Sequence, residues 1–600
     1  MKRYLIFLMM LVLPNFLTAQ MYISLPIGGV YQTTGSTTPV ALAGQYVGTS
    51  LANYRIEYNV LRLNVSDGSY HSTYQNYTTI VTNPTYGLFK TTIYLPVGWY
   101  TVNVRVYNIA TSSAGSSNAI KFGVGDVYVI AGQSNAQGNP PNGSSWSLPS
   151  LSTYDGVVSH NAWEPCNDSL PPYPVMSPLS GYNRIAPSGN NSWCWAKLGQ
   201  DLQSGSPSGG LPIAFFNAAA SGSTSNNWKR SAAGDTTANI YTGVVWCDTT
   251  YTGAAQPYFD FKTTLKYYAS VFGAKAVLWH QGESDNDLTT TPISATSRTD
   301  YKDRIDYVID QSRADFSSSL RWLVSEVSFN GKNPPGSTTR SDVTSAQNDL
   351  TISPIDGSNG SSSDYSYTGV ITDPLGYAYR DATDLVHFRE DRSSALSTIG
   401  GYWNTKIGAA TNGYTQLGAF LPPLVTMSKS GSNWTLTVSG TYSEYRWLNM
   451  ANPKPNSDFL VLGTNYNLSG STGGSYACLV KDGSGKWTIT QTIYTNCGSC
   501  REGVAELEEW HEEELGLSTK AYPVPFDKEF TIEFTIPNQS MVKLELINMN
   551  GEVISKITDN IHARGTYKYP VQTPGLSAGM IFYRLNVNGL AITKKLVKSN

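Results

Sequence analysis

The chain has 600 residues, more than one hydrophobic core organises, so several domains are expected. Charged residues are only 14% of it, and 41 Lys and Arg stand against 44 Asp and Glu without a basic stripe in any segment. That balance lacks the cationic surface that neutralises phosphates, so nucleic acid is excluded as an expected partner.

The first element is an export signal. Lys2 and Arg3 precede an apolar run from Tyr4 to Leu13, and Leu17-Thr18-Ala19 supplies small residues before Gln20. This is the pattern of a signal peptide over 1–19. The run is too short to span a bilayer and no other segment is long and apolar enough, so no stable membrane insertion is expected. Residues 20–123 consist of short alternating runs broken by turn residues, as in TTIYLPVGWYTVNVRVYNIA, and predict a β-sandwich.

The texture changes over 124–412. VYVIAG, PIAFFNAAA, AVLWHQ and RWLVSEV read as buried strands, and between them SWCWAKLGQDLQ and DYKDRIDYVIDQSRADF carry apolar residues at helical spacing. This predicts an α/β domain with a mainly parallel sheet. Past Leu421-Pro422-Pro423, alternation returns through NWTLTVSG, EYRWLN and GSYACLV, predicting an Ig-like sandwich over 420–500. Seven glutamates between Glu502 and Glu514 read as a solvated linker over 501–518, and 519–600 is a final β-rich unit. GSNGSSSD at 357–364 reads as a loop.

Export places the six cysteines in an oxidising compartment, where pairing is the default. Cys166, Cys194 and Cys247 lie in one region and Cys478, Cys497 and Cys500 in another, so each side keeps an odd cysteine unless a bridge crosses between them. Cys497-Gly498-Ser499-Cys500 lacks both the βαβ context of a redox pair and a second ligand pair for zinc. A disulfide such as Cys478 to Cys497 is the expectation. No metal site is expected, and without a Walker or dinucleotide fingerprint in the α/β region no cofactor is either.

One stretch points to chemistry. VIAGQSNAQG, residues 129–138, runs from a strand into a small-residue turn that holds Ser134. Serine is a weak nucleophile unless a base takes its proton and donors receive the oxyanion. Of six histidines, His71, His511 and His562 fall outside the α/β region, leaving His160, His280 and His387. In TDLVHFRED, Asp384 precedes His387 by three residues, a spacing that lets the carboxylate orient one imidazole nitrogen and leaves the other free. His280, at the end of an apolar strand, reads as a hydrogen-bonded core residue. Trp193, Trp195 and Trp228 suit sugar stacking, but their helical or strand-end context suits core packing at least as well. Strand PIAFFNAAA ends in Ser221-Gly222-Ser223, and AVLWH ends in Gln281-Gly282-Glu283-Ser284-Asp285, so both clusters and Ser134 can converge on one rim of an open parallel sheet.

GQSN at 132–135, NAAASGSTSNNW at 217–228, WHQGESD at 279–285 and DLVH at 384–387 resemble, in order, the blocks of SGNH-type esterases. They are most similar to the sialate O-acetylesterase branch that includes carbohydrate esterase family 6. The resemblance implies a flavodoxin-like three-layer catalytic domain flanked by β-sandwiches, and removal of O-acetyl groups from acetylated carbohydrate such as xylan or sialic acid. It implies Ser134 as nucleophile, His387 as general base and Asp384 as its orienting acid. The Ser134 and Gly222 amides would form the oxyanion hole. The third block reads Gln-Gly-Glu-Ser where the wider superfamily has Gly-x-Asn, which makes Gln281 the expected additional donor and Glu283 an alternative acid. Ala136 breaks the G-x-S-x-G elbow, which disfavours the α/β-hydrolase fold. A catalytically silent glycan-binding protein and an esterase for another acyl group are the competing readings.

AYPVPFDKEFTIEF, VKLELINMNGEVI and GLSAGMIFYRLNVNGLAITKKLVKSN resemble the C-terminal sorting domain of type IX secretion, with Val524 in place of the usual asparagine. This implies the type IX machinery as a partner and a location outside the cell or on its outer surface.

Overall fold

The computed structural model describes residues 20–599 except 26–27, 48–52, 65–67, 139–156, 160–175, 180–183, 206–209, 247–255, 291–293, 353–365, 411–415, 451–461, 496–517, 537–539, 549–552, 574–578 and 588–589. The signal peptide, His160, His511, the 357–364 loop, the acidic run and Cys166, Cys247, Cys497 and Cys500 lie outside the described residues.

Alternation near the N-terminus produces two facing antiparallel sheets. Strands Gln20–Ile23, Thr38–Val47 and Leu88–Leu95 form one. The other contains Tyr54–Leu63, Tyr70–Thr82, Gly98–Asn108 and the start of a 20-residue strand, β1 (Ser113–Gly132). The expected boundary between 123 and 124 falls inside β1. Its first part pairs antiparallel with Gly98–Asn108, and from Asp126 onward the same strand pairs parallel with new neighbours. One continuous strand thus serves two units, and no linker residues mark the change.

The central sheet is built from β1, β2 (Val157–Ser159), β3 (Ile213–Asn217), β4 (Ala276–His280), β5 (Trp322–Glu326) and β6 (Ser366–Ile371). They run parallel in the order β2-β3-β1-β4-β5-β6, with a short antiparallel strand, Ser177–Pro178, beyond β2. The chain is therefore a multidomain α/β protein with a mixed, partly parallel central sheet and several smaller antiparallel sheets.

Period-two alternation in the buried strands sorts their side chains onto two faces. Tyr128, Ile130, Leu278 and Leu323 pack with residues of α2 (Trp193–Ser204) and α7 (Ala395–Ala410). Val129, Ala131, Val277, Trp279, Trp322 and Val324 pack on the opposite side with α3 (Ser225–Ala232), α4 (Tyr258–Thr264), α5 (Arg298–Asp315) and α6 (Ser341–Asp349). Each such large side chain contributes about 1.5–3 kcal/mol by leaving water. α5 illustrates the local code: Ser297 caps it by accepting from Asp300 N, and Tyr301, Ile305, Val308, Ile309 and Ser312 form its buried stripe.

The unit after the proline boundary has sheets of three and four strands around Trp434, Leu436, Trp447, Cys478 and Ile493. It docks on the N-terminal sandwich, where the Gln45 side chain exchanges hydrogen bonds with the Tyr494 backbone at 2.8 and 3.2 Å. The final unit, from Ser518, packs two sheets around its own core of Phe530, Ile532, Phe534, Leu544 and Leu585. Cys194 and Cys478 are free, buried thiols, which overturns the expected Cys478 disulfide. Cys478 sits on Ser475–Lys481 among core side chains, and burial pushes its thiol up to about 12. No helix among the described residues is long and apolar enough to cross a membrane.

Candidate active site

The chain leaves β1 towards β2 and β3 on one side and reaches β4 on the other, so the carboxyl end of β1 is a topological switch point. Three segments leave the sheet there: Gln133 onward, 218–224 and 281–287. The first turn is set by Gly132, at φ +134°, where an added Cβ would lie 2.1 Å from the His280 carbonyl oxygen. Glycine therefore lets β1 and β4 approach before the chain turns. Gln133 N donates to His280 O at 3.0 Å, and α1 (Ser134–Gln137) begins with Ser134, 4% exposed. Trp195 Nε1 and Asn217 Nδ2 both donate to Ala136 O at 2.9 Å, and Ser221 N donates to Gln137 Oε1 at 2.9 Å. The serine turn is thus bolted to β3 and to the loop that follows it. Neither the hydroxyl nor the amide of Ser134 has a hydrogen-bond partner among the described residues.

The Asp384–His387 spacing forms a tight turn. Asp384 Oδ1 accepts from Val386 N at 2.8 Å and His387 N at 2.9 Å, and His387 Nδ1 donates to Asp384 Oδ2 at 2.5 Å. Leu385 takes the left-handed conformation, φ +60°, at a cost of about 1–2 kcal/mol that these bonds offset. Burial raises the Asp384 pKa, but the hydrogen bonds from His387 and Val386 outweigh it and hold the carboxyl below its ordinary value. The acid stays ionised and fixes the imidazole. His387 Nε2 is enclosed and has no hydrogen bond among the described residues.

What joins this turn to Ser134 is Asn135. Its Nδ2 donates to Val386 O at 3.2 Å and its Oδ1 accepts from Phe388 N at 3.2 Å, so the residue after Ser134 grips the backbone on both sides of His387. The same Nδ2 donates to Glu283 Oε1 at 2.8 Å. Gln133, on the other side of Ser134, accepts from Gly282 N, Ser284 N and Gln281 Nε2 at 3.1–3.2 Å through one oxygen. Sequence reasoning assigned neither amide a role. The available signal was two carboxamides flanking a serine at a buried strand end, where polar groups must find partners. Arg380 was also missed. It is fully buried between Phe329 and Phe388, and its Nη1 donates to Val386 O at 2.5 Å. Burial pushes its pKa down to about 10 against the pull of Glu283, Asp373 and Asp384.

The third block is placed differently from expectation. Gln281 is 0% exposed, its Nε2 lies 2.6 Å from Asp285 Oδ2, 3.2 Å from Gln133 Oε1 and 3.3 Å from Ser223 O, and Tyr301 donates to its Oε1 at 2.9 Å. Both N–H groups are spent inside the protein, which leaves none for an oxyanion. Asp285 in turn accepts from Ser225 N at 2.8 Å at the start of α3, where the helix dipole favours its charge. Glu283 is fully buried against Asn135, while the His387 ring nitrogen is taken by Asp384, so the structure gives the orienting contact to Asp384 alone. Gly222, at φ +72°, is buried with an amide that has no partner among the described residues. An added Cβ there would lie 2.3 Å from Asn239 Nδ2.

His280 is a core residue whose Nε2 is 3.2 Å from Thr372 Oγ1, and burial lowers its pKa. Trp193, Trp195 and Trp228 are 0% exposed and pack the two helical layers. Among the described residues no group of three or more His, Cys, Asp or Glu is placed to hold a metal ion.

Residues 520–599 match the family of the secretion system C-terminal sorting domain. The chain therefore carries the sorting unit of type IX secretion, which directs it outside the cell or to its outer surface and implies contact with that machinery. No curated protein matches the chain. Among solved structures it is similar to a β-glucuronidase of Bacteroides uniformis (9% identity, 96% of this chain and 79% of that one, TM-score 0.21). It is also similar to a β-glucuronidase of Parabacteroides merdae (8%, 97% and 78%, TM-score 0.19) and to the type IX surface component PorZ of Porphyromonas gingivalis (12%, 33% and 27%, TM-score 0.11).

Proposed function

We propose that the central unit is a serine carbohydrate O-acetylesterase of the SGNH type, with the flavodoxin-like three-layer fold that its sheet order and two helical layers support. The observation that carries this reading is the Asp384–His387 pair, held by Asn135 beside a Ser134 whose hydroxyl has no partner among the described residues. An oriented imidazole with a free Nε2, on a turn whose backbone is clamped by the residue that follows a switch-point serine, supports acyl transfer.

His387 Nε2 takes the Ser134 proton as Oγ attacks an acetyl carbonyl carbon. The carbonyl oxygen becomes an oxyanion received by the Ser134 and Gly222 amides. The tetrahedral intermediate collapses, the C–O bond to the sugar breaks, and His387 returns the proton to the leaving alcohol. Water then gives a proton to His387 and attacks the acetyl-serine. Acetate departs and Ser134 regains its proton. Asp384 stays ionised throughout and stabilises the imidazolium. In this account Gln281 is a positioning residue for the loop, and Glu283 positions Asn135.

The four ordered sequence blocks support acetylated carbohydrate as the substrate, and export places the protein where polysaccharide is met. The test is acetate release from acetylated xylan and from 4-nitrophenyl acetate by wild type and Ser134→Ala. Release that disappears in the variant supports the reading. Folded wild-type protein that releases nothing from either would overturn it in favour of a glycan-binding protein on a silent hydrolase fold.

A further inference from the structure

The rim beside Gly222 carries a half-exposed aromatic ring that the mechanism does not use. Residues 237–246 fold back on themselves: Asn239 N donates to Val244 O at 3.0 Å, Gly243 N to Asn239 O at 2.9 Å and Trp246 N to Thr237 O at 3.1 Å. This turn is fastened to the candidate oxyanion loop. Asn239 Nδ2 donates to Ser221 O at 2.9 Å, Ile240 N donates to Gly222 O at 3.1 Å, and Asn239 lies so close to Gly222 that no side chain fits between them.

At the tip, Tyr241 is 48% exposed, with its hydroxyl 3.4 Å from Ser284 Oγ. Ser284 is the residue whose amide binds Gln133, next to Ser134. The phenol is therefore tethered at its hydroxyl end to the catalytic loops, which leaves the ring as its contact surface. Lys332 Nζ stands 5.7 Å from the ring centre and makes no ion pair among the described residues. Val244 and Val245 extend the exposed apolar surface beside it.

An ester bound for attack has its small acyl part at Ser134 and Gly222, so its alcohol part must lie outward along the rim. An aromatic face offers a surface for the C–H face of a pyranose, and an ammonium donates to hydroxyl oxygens without demanding a charge in return. We infer that Tyr241 and Lys332 form the subsite for the alcohol part of the ester, a pyranose ring within a glycan, with Tyr241 as its stacking platform. This rests on the esterase reading for its catalytic consequence, and on the rim geometry for sugar binding.

The experiment compares kcat/KM for acetylated xylo-oligosaccharides with kcat/KM for ethyl acetate, whose alcohol is too small to use the ring. Tyr241→Ala and Tyr241→Leu are expected to lower that ratio about tenfold, mainly through KM, which is the loss of one covered ring face. Tyr241→Phe and Tyr241→Trp keep a ring and should keep the ratio. An unchanged ratio in Tyr241→Ala overturns the subsite. So does a loss in Tyr241→Phe as large as in Tyr241→Ala, because the hydroxyl tether would then be the reason.

Wild type that hydrolyses neither ester removes the esterase reading, and calorimetric binding of the same oligosaccharides then decides the subsite. Binding that weakens in Tyr241→Ala and survives in Tyr241→Phe sustains it. Equal binding by wild type and Tyr241→Ala, or none by either, overturns it.

Discussion

Replacing Asp384 by asparagine isolates what the acid does. The amide has the shape of the carboxylate, so its oxygen can still accept from Val386 N and His387 N, the 2.8 and 2.9 Å bonds that form the turn. What changes is the atom facing His387 Nδ1 at 2.5 Å, which turns from acceptor to donor. The neutral imidazole must then carry its proton on Nε2, where it cannot take one from Ser134. The turn survives and the base is lost. Trapping this tautomer costs about ten-thousandfold in kcat, roughly 5.4 kcal/mol of transition-state stabilisation, with little change in KM.

A second consequence follows from the acid's ionisation. Its folded pKa lies below the ordinary value, so its contribution to stability is present above the unfolded pKa and lost as pH falls through the folded one. Asp384→Asn should therefore unfold less steeply with acid than wild type below about pH 4. Initial rates on 4-nitrophenyl acetate together with thermal unfolding over acidic pH check both expectations. A folded variant within tenfold of wild-type kcat would refute the assignment of Asp384 as the orienting acid.

Asn135→Ala removes the grip on both sides of His387, and a base displaced by about 1 Å should cost about a hundredfold in kcat. Wild-type turnover in a folded variant would show that the clamp is dispensable. Gln281→Ala should act on stability first, since Asp285 and Tyr301 each lose a buried partner, about 2–5 kcal/mol by urea unfolding. A selective hundredfold rate loss at wild-type stability would instead return Gln281 to the oxyanion hole. Cys194 and Cys478 should resist iodoacetamide in the native protein and react only after unfolding, because burial disfavours both thiolates. Rapid native labelling, or a disulfide at Cys478 by peptide mapping, would contradict the free buried thiols.

The legible parts of the molecule were those written locally. Strands such as Ala276–His280 and helices such as Arg298–Asp315 carry their periodicity in consecutive residues, and Asp384 and His387 form a turn whose geometry needs only four consecutive residues. The rest depends on partners far away in sequence. Asn135 meets Glu283 and Phe388 148 and 253 residues later, and nothing in GQSN indicates that reach. Gln281 was expected to donate because of its block position, but an amide's direction is set by what surrounds it, here Asp285, Gln133 and Ser223. The same limit explains the boundary placed within β1 and the disulfide assigned to Cys478. A strand shared by two sheets looks like one strand, and a cysteine count does not say which way a thiol faces.

The most direct test of the central claim is covalent labelling of the native protein with an alkyl fluorophosphonate, followed by peptide mass spectrometry. One adduct is expected, on the peptide containing Ser134, together with its loss in His387→Ala. Folded wild-type protein with no adduct, or with the adduct on another residue, would contradict it.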